Sequence, residues 1–225
     1  MKKILLLLFV AVYSVALSAQ NYRVDFLDGK RYIMSSKTFG NLEDDVLFAD
    51  VVLWALKNEN TKIAALDYDK QHIEINCEVS AGTGKQNTNY ASTLKIDVYA
   101  GIVKFRIEDI VYSQQVLVAY KNVPFEKLQP EKKAAHKTII ADFESTQETL
   151  MSSLFEYIGQ NKLQKITHWN EIKAGKVVVG MNETEARLSV GNPQRVIEEN
   201  QEIQWMMNTF FYIFFKNGKV SSVLK

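Results

Sequence analysis

The stretch Gly82–Lys85 (GTGK) is the part of the sequence whose residue types and spacing come closest to a phosphate-binding loop. Such a loop needs a glycine five residues before its second glycine and a serine or threonine directly after its lysine. Those two positions hold Val79 and Gln86. The stretch is therefore interpreted as a flexible loop between two strands, and no cofactor is expected.

Metal ligation requires histidine, cysteine or carboxylate side chains at close spacing. His72, His136 and His168 lie far apart, and none of them has a histidine or cysteine three or four residues later. Glu74 and Glu78 share one side of a predicted strand with His72, so these three side chains could hold an ion. A solvated polar sheet face explains the same pattern, and we expect no metal.

Nucleophilic catalysis also finds little support. Cys77 alternates with Ile73, Ile75 and Val79, so it is predicted to lie in the core, whereas a reactive thiol needs an exposed, electropositive site. No Gly-x-Ser-x-Gly motif occurs. Asp50, the polar residue of an apolar helix, is expected on the wet stripe of that helix rather than as a catalytic acid. We expect no enzyme, and a hydrolase with a spatially assembled site is the remaining alternative.

The first residues have the pattern of a secretory signal peptide. Lys2 and Lys3 precede an apolar run over residues 4–12, and small residues follow up to Ala19. Cleavage is expected after Ser18 or Ala19, so residues 1–19 are interpreted as a leader. No cysteine stands directly after the expected cleavage point, which argues against a lipoprotein, and no later run is long enough to span a bilayer. The protein is expected to be periplasmic or secreted and soluble.

The charge of the expected mature chain argues against nucleic acid as a partner. Removal of the leader takes away Lys2 and Lys3, which leaves 25 basic against 26 acidic residues. Nucleic-acid-binding domains usually carry a surplus of clustered positive charge. The expected partner is another envelope protein.

An α+β fold is predicted for the mature chain. The order is an antiparallel sheet with packed helices over residues 20–128, a long amphipathic helix over 129–163, and a small helix-plus-antiparallel-sheet module over 164–225. Period-two alternation indicates the strands of the first part, which are expected at 22–26, 62–66, 72–79, 93–99 and 102–111. Asp44 and Asp45 are expected to begin a buried helix.

Two of these strands form a predicted hairpin around a turn at Ala100-Gly101. That register places three apolar pairs on one face and one pair of opposite charges on the other, which stabilises an antiparallel ladder. The apolar pairs are Val98 with Val103, Ile96 with Phe105 and Leu94 with Ile107, and the charged pair is Asp97 with Lys104.

The last 60 residues are predicted to form two short helices and a meander. Asn182 is expected to cap the second helix together with Glu185, and Gly191–Pro193 is expected to end it. Strands are expected at 202–207, 209–216 and 219–224, with a hairpin turn at Asn217-Gly218.

Both faces of the strand predicted at 209–216 are apolar. Phe210, Tyr212 and Phe214 form one row, opposite a second row of apolar residues. A small sheet covered by helices on one side needs a single apolar face. Either the first unit or the long helix covers the row of Phe210, Tyr212 and Phe214, or this row binds a partner protein. The candidate partner-binding residues are Phe210, Tyr212 and Phe214, together with Trp205.

Two stretches resemble known families. The buried helix and strands over residues 45–114 resemble a secreted family of unknown function from gut-type diderm bacteria, which has a TATA-box-binding-protein-like (TBP-like) fold. The pattern Trp169, Gly180–Glu183, Gly191–Pro193, Trp205 and Phe215–Val220 resembles the SmpA/OmlA (BamE-like) domain of outer-membrane assembly lipoproteins. This chain lacks the anchor cysteine of those lipoproteins. Neither resemblance supplies catalytic residues.

The expected function is that of a non-catalytic binding or adaptor protein of the bacterial cell envelope. The alternative is an inhibitor or sequestering protein for a secreted enzyme, because small modules of helix and sheet are known to serve in that way. The sequence leaves open both the partner's identity and the oligomeric state.

Overall fold

The protein is described here as a computed structural model, which covers residues 23–27, 30–40, 42–81, 88–116, 119–160, 166–199 and 202–225. The expected leader at 1–19 and the stretch Gly82–Lys85 lie outside the described residues. No helix in the described part of the chain is both long and apolar enough to cross a membrane.

The N-terminal unit contains a seven-stranded antiparallel sheet with the order β1-β2-β6-β5-β4-β3, and β7 pairs with β6. Strand β6 is long enough to pair with β2 along its first part and with β7 along its last part. The strands are β1 (Arg23–Leu27), β2 (Lys30–Thr38), β3 (Thr61–Asp67), β4 (His72–Ala81), β5 (Thr88–Tyr99), β6 (Ile102–Val116) and β7 (Ala119–Pro124).

The predicted hairpin between β5 and β6 is confirmed in every pair, including Asp97 with Lys104. Ala100 and Gly101 both have positive φ, as a tight turn between twisted strands requires. The predicted register ends at a bulge where Asp109, with φ of 51°, is inserted opposite the segment Ala91–Thr93. This extra residue restores the inward orientation of the apolar side chains that follow it.

Helix α1 (Asp44–Lys57) lies between several elements, and its residues from Leu47 to Ala55 are all buried. It contacts the long helix, β3, β5 and a helix of the C-terminal unit. The expectation that Asp50 lies on a wet stripe is therefore wrong, because this residue is 0% exposed. The helix has no wet stripe there, since it is covered from several sides.

The two acids at the start of α1 hold turns of the sheet. The carboxylate of Asp44 accepts hydrogen bonds from the backbone N–H groups of Ala100 at 2.8 Å and Gly101 at 2.6 Å. Asp45 accepts one from the Gln71 side chain at 2.8 Å. Paired acids at this position thus have a structural use, as the sequence indicated.

Helix α2 (Ala134–Gln160) is the predicted long amphipathic helix, 27 residues in length. Its apolar stripe packs on the same side of the sheet as α1, and Phe143 contacts the rings of Tyr90 and Phe125. Cys77 lies on that covered face and is buried, as predicted. Burial raises the pKa of the Cys77 thiol to about 12, so the reactive thiolate is suppressed.

The C-terminal unit contains a four-stranded antiparallel sheet with the order β11-β10-β9-β8. The elements are α3 (Trp169–Lys173), α4 (Glu183–Val190), β8 (Arg195–Glu199), β9 (Glu202–Asn208), β10 (Phe211–Lys216) and β11 (Lys219–Leu224). The turn at Asn217-Gly218 is confirmed, and both of its residues have positive φ. The sequence pattern missed β8.

The two units meet through the helices of the C-terminal unit. The Tyr68 hydroxyl donates a hydrogen bond to the Leu188 carbonyl oxygen at 2.6 Å, and its ring contacts the Trp169 ring. Asn192 donates from its side chain to the Leu56 carbonyl oxygen. These contacts lie at the helical side of the C-terminal sheet, so its other face points away from them.

Candidate functional site

Glu185 fixes helix α4 against the segment that precedes α3. Asn182 and Glu185 form the predicted capping box: the Asn182 side chain accepts from the Glu185 N–H at 2.8 Å, and the Glu185 carboxylate accepts from the Asn182 N–H at 3.0 Å. The carboxylate also accepts from the N–H groups of Thr167 at 2.7 Å and His168 at 3.3 Å, and from the Thr167 hydroxyl at 3.0 Å.

These hydrogen bonds determine the protonation of Glu185, whose residue is 2% exposed. Burial alone raises the pKa of this carboxyl group. The hydrogen bonds from Thr167, Asn182 and His168 outweigh that effect and lower the pKa to about 2. The charged carboxylate therefore acts as a fixed anchor for α4, and α4 in turn covers the sheet.

The inner face of the C-terminal sheet packs against this helical layer. Trp205, Ile213, Phe215 and Val220 are buried there, and the rings of Trp205 and Phe215 lie 4.7 Å apart between centroids. The Arg187 guanidinium of α4 lies over the Trp205 ring at 4.9 Å from its centroid. This face is a complete small core.

The opposite face of the same sheet carries a second apolar surface, and we call this opposite face the outer face. Strand register places its side chains in three rows. The first row is Arg195, Met206, Tyr212 and Leu224; the second is Ile197, Gln204, Phe214 and Ser222; the third is Glu199, Glu202, Lys216 and Lys219.

Several apolar side chains of the outer face are open to solvent. Leu224 is 57% exposed, and Ile197 is exposed as well, while Tyr212 and Phe214 are half-buried among their neighbours. A cleft of about 180 Å³ lies beside Phe214 and Ile197. None of the described residues of the N-terminal unit covers these side chains to the extent that a core requires.

The predicted partner-binding residues divide between two faces and a turn. Tyr212 and Phe214 lie on the outer face, as expected. Phe210 lies in the turn before β10 rather than within the strand, and it is 79% exposed. The prediction that Trp205 belongs to the same surface is wrong. Trp205 is 1% exposed and lies in the core of the inner face, because it alternates along β9 with Gln204 and Met206, which lie on the outer face.

Sequence reasoning missed other residues of this face. Ile197 and Arg195 belong to β8, whose sequence RVIEE gave no alternation signal because all five of its residues are exposed. The charged third row could be found only from the register, since its four members come from four strands. The sequence pattern that bears on this row is the Asn217-Gly218 turn, which places Lys216 beside Lys219.

The open face of the N-terminal sheet has a different chemistry. Six side chains form a continuous network of ion pairs and hydrogen bonds across β4, β5 and β6: His72, Glu74, Asp97, Lys95, Glu108 and Arg106. Lys95 lies at its centre, with its Nζ 2.5 Å from a Glu108 oxygen and 3.2 Å from a Glu74 oxygen. The hydrogen bond to Glu108 contributes most to raising the pKa of Lys95.

This network bears on the ion-binding alternative for His72. The imidazole lies 2.6 Å from an Asp97 oxygen and 3.4 Å from a Glu74 oxygen, and Glu78 belongs to none of the network's pairs. Within the described residues, no group of three or more His, Cys, Asp or Glu side chains is arranged to hold a metal ion. The face reads as a cross-strand charge ladder.

A groove of about 880 Å³ lies further along the same sheet. Its lining includes a row of neutral polar side chains across β4 to β7, in which the Ser80 hydroxyl donates to Asn89 Oδ1 at 2.8 Å and the Ser113 hydroxyl to Asn122 Oδ1 at 2.6 Å. Glu59, Lys62, Glu78 and Tyr90 also line the groove, so it combines neutral hydrogen-bonding groups with charged ones.

Comparison with known proteins bears on the fold. A TBP-like protein from Parabacteroides distasonis ATCC 8503 is similar in structure, with a TM-score of 0.54 and 16% identity over 61% of this chain and 98% of its own. A DUF4468 family protein from Bacteroides ovatus ATCC 8483 is similar with a TM-score of 0.52 and 12% identity, over 63% of this chain and 94% of its own. No protein-family model and no curated protein matches the sequence. The chain therefore shares the TBP-like fold over about 60% of its length.

Proposed function

We propose that this protein is a non-catalytic binding or adaptor protein of the bacterial cell envelope, which binds another polypeptide through the outer face of its C-terminal sheet. The observation that supports this is the second apolar surface, formed by Tyr212, Phe214, Ile197 and Leu224 on a sheet whose core lies on the opposite side. A sheet covered by helices on one side needs no such surface for its own stability.

The sequence pattern of the C-terminal unit supports the envelope part of this proposal. Its capped helix, glycine stop and meander are the features that resemble the BamE-like domain, and the signal-peptide pattern at residues 1–19 agrees with export. The shared TBP-like fold by itself assigns no function, because one fold serves many. The alternative, an inhibitor of a secreted enzyme, would use the same outer face.

The substitution Tyr212→Asp tests this proposal. It places a charge in the first row of the outer face, where Tyr212 is half-buried. We expect the free energy of unfolding to change by less than about 1 kcal/mol, as for most surface substitutions. We expect capture of partners from envelope extract to fall at least tenfold, since a buried unpaired charge opposes docking.

The matched control is Tyr99→Asp, which makes the same substitution at an exposed tyrosine of the N-terminal unit. This variant should capture the same proteins as the wild type. If both variants capture partners as well as the wild type does, the outer face does not bind them. Recovery of envelope-assembly proteins would favour an adaptor, whereas recovery of one enzyme would favour an inhibitor.

A further inference from the structure

The third row of the outer face has a polarity that runs across the sheet. Glu199 on β8 and Glu202 on β9 make one half of the row negative, and Lys216 on β10 and Lys219 on β11 make the other half positive. Lys216 Nζ lies 3.1 Å from a Glu202 oxygen at the midline, and both side chains are more than half exposed. The row is therefore self-complementary, because its negative half can pair with the positive half of an identical row.

A two-fold axis parallel to the strands, between β9 and β10, matches this stripe to itself. Such an axis places β8 of one copy over β11 of the other and β9 over β10, and it keeps each row opposite the same row. Glu199 then faces Lys219 of the second copy, and Glu202 faces Lys216. All four charged side chains of each copy then face a side chain of opposite sign in the second copy, in addition to the pair that Glu202 and Lys216 form within each copy.

The same axis also covers the apolar rows. In the first row Met206 meets Tyr212 and the aliphatic stem of Arg195 covers Leu224, and in the second row Phe214 lies against Gln204. Two sheets packed with nearly aligned strands are a common arrangement, at an angle of about 30°. A two-fold axis perpendicular to the strands instead stacks Glu202 on Met206 and Lys216 on Tyr212, which buries charges against apolar groups.

We propose that the outer face binds a second copy of this chain, in a two-fold dimer whose charged rows pair Glu199 with Lys219 and Glu202 with Lys216. This inference rests on the proposed function, because it names the polypeptide that occupies the outer face. The dimer is an adaptor with two N-terminal units. Each unit keeps its own open sheet face, with the ion-pair network and the groove, available to other molecules.

The size of the face indicates the strength of the dimer. Four strands about 4.8 Å apart and six residues of about 3.3 Å each give a face of roughly 20 Å by 20 Å. That is about 400 Å² per copy, below the ~800 Å² per partner of a standard interface. The expected dimer is therefore weak and depends on concentration, with a Kd in the micromolar range or above, and salt weakens it.

A charge-exchange experiment tests the arrangement. In the double variant E199K/E202K the whole row is positive, and in K216E/K219E it is negative. Each variant alone should dimerise at least tenfold more weakly than the wild type by sedimentation velocity, because like charges then face each other. An equimolar mixture should form a heterodimer within about threefold of the wild-type affinity, since every pair again has opposite signs.

The control K104E/K121E reverses two exposed lysines of the N-terminal sheet and should leave the wild-type dimer intact. All positions in these variants are exposed, and circular dichroism should show a retained fold. If the wild type dimerises but the equimolar mixture does not recover its affinity, the proposed arrangement of the dimer is wrong. A wild type that stays monomeric at about 1 mM overturns the inference. In that case the proposed function still stands if Tyr212→Asp abolishes capture of an envelope protein. If the wild type is monomeric and Tyr212→Asp leaves capture unchanged, the dimer and the proposed function both fail.

Discussion

Replacing Glu185 with alanine is expected to lower the free energy of unfolding by about 3–4 kcal/mol, measured by urea unfolding and tryptophan fluorescence. The side chain is buried, and its carboxylate accepts hydrogen bonds from the backbone N–H groups of Asn182, Thr167 and His168. Glu185→Ala leaves these backbone N–H groups without their acceptor, and each buried donor that water cannot reach costs about 1–3 kcal/mol of stability. The Asn182 side chain still caps the helix in this variant, because it accepts from the backbone N–H of position 185.

Glu183 provides the control, because it lies two residues away in the first turn of the same helix and is only half-buried. We expect Glu183→Ala to cost a few tenths of a kcal/mol, through the helix dipole. A similar loss in both variants would show that Glu185 contributes as a helix-dipole charge and not as an anchor.

The same carboxyl group predicts a dependence on pH. Its pKa is lowered from 4.5 to about 2 in the folded protein, so the folded state favours the charged form. Its contribution to stability is complete above the unfolded pKa and is lost as pH falls from about 4.5 to about 2. The stability curves of the wild type and Glu185→Gln should therefore converge toward pH 2, and a constant difference across this range would contradict the assignment.

Replacing Phe215 with alanine is expected to cost about 3–5 kcal/mol, whereas the same substitution at the adjacent Phe214 should cost less than about 1.5 kcal/mol. Phe215 is 1% exposed and packs against Trp205, so its removal leaves a cavity in the inner core. Phe214 points to the outer face and is half-buried. The two residues follow each other in β10, so strand propensity is the same for both.

The effect on binding should be the reverse of the effect on stability. We expect Phe214→Ala to weaken association through the outer face by at least tenfold, while a folded Phe215→Ala protein should bind as the wild type does. Urea unfolding and sedimentation velocity measure the two quantities. Equal losses of stability would mean that the outer face is a second core, covered within the chain.

The sequence predicted those parts of the fold that depend on local pattern. The β5–β6 register was predictable because a one-residue slip would break both its apolar and its charged pairs. The capping box at Asn182 and Glu185 and the turn at Asn217-Gly218 were predictable because each needs particular residues at fixed spacing.

The remaining elements depend on tertiary contacts that a local pattern does not contain. Strand β8 is exposed at all five residues, and it is a strand because β9 offers it hydrogen-bonding partners. Asp50 was expected to be exposed to solvent because helical periodicity does not show which elements pack against a helix. In the fold, α2 and the C-terminal unit pack against α1 in addition to the sheet. The self-matching charge row likewise appears only when four strands are in register.

Hydroxyl-radical footprinting tests most directly whether the outer face is a docking surface. Oxidation of Phe210, Tyr212 and Phe214 would be compared between dilute protein and protein at high concentration or with its captured partner, and buried Trp205 and Phe215 serve as internal references. We predict fast oxidation of the first three residues in dilute protein and at least fivefold protection in the associated state. Oxidation at the same rate in both states, or protection already present in the dilute monomer, would contradict the account.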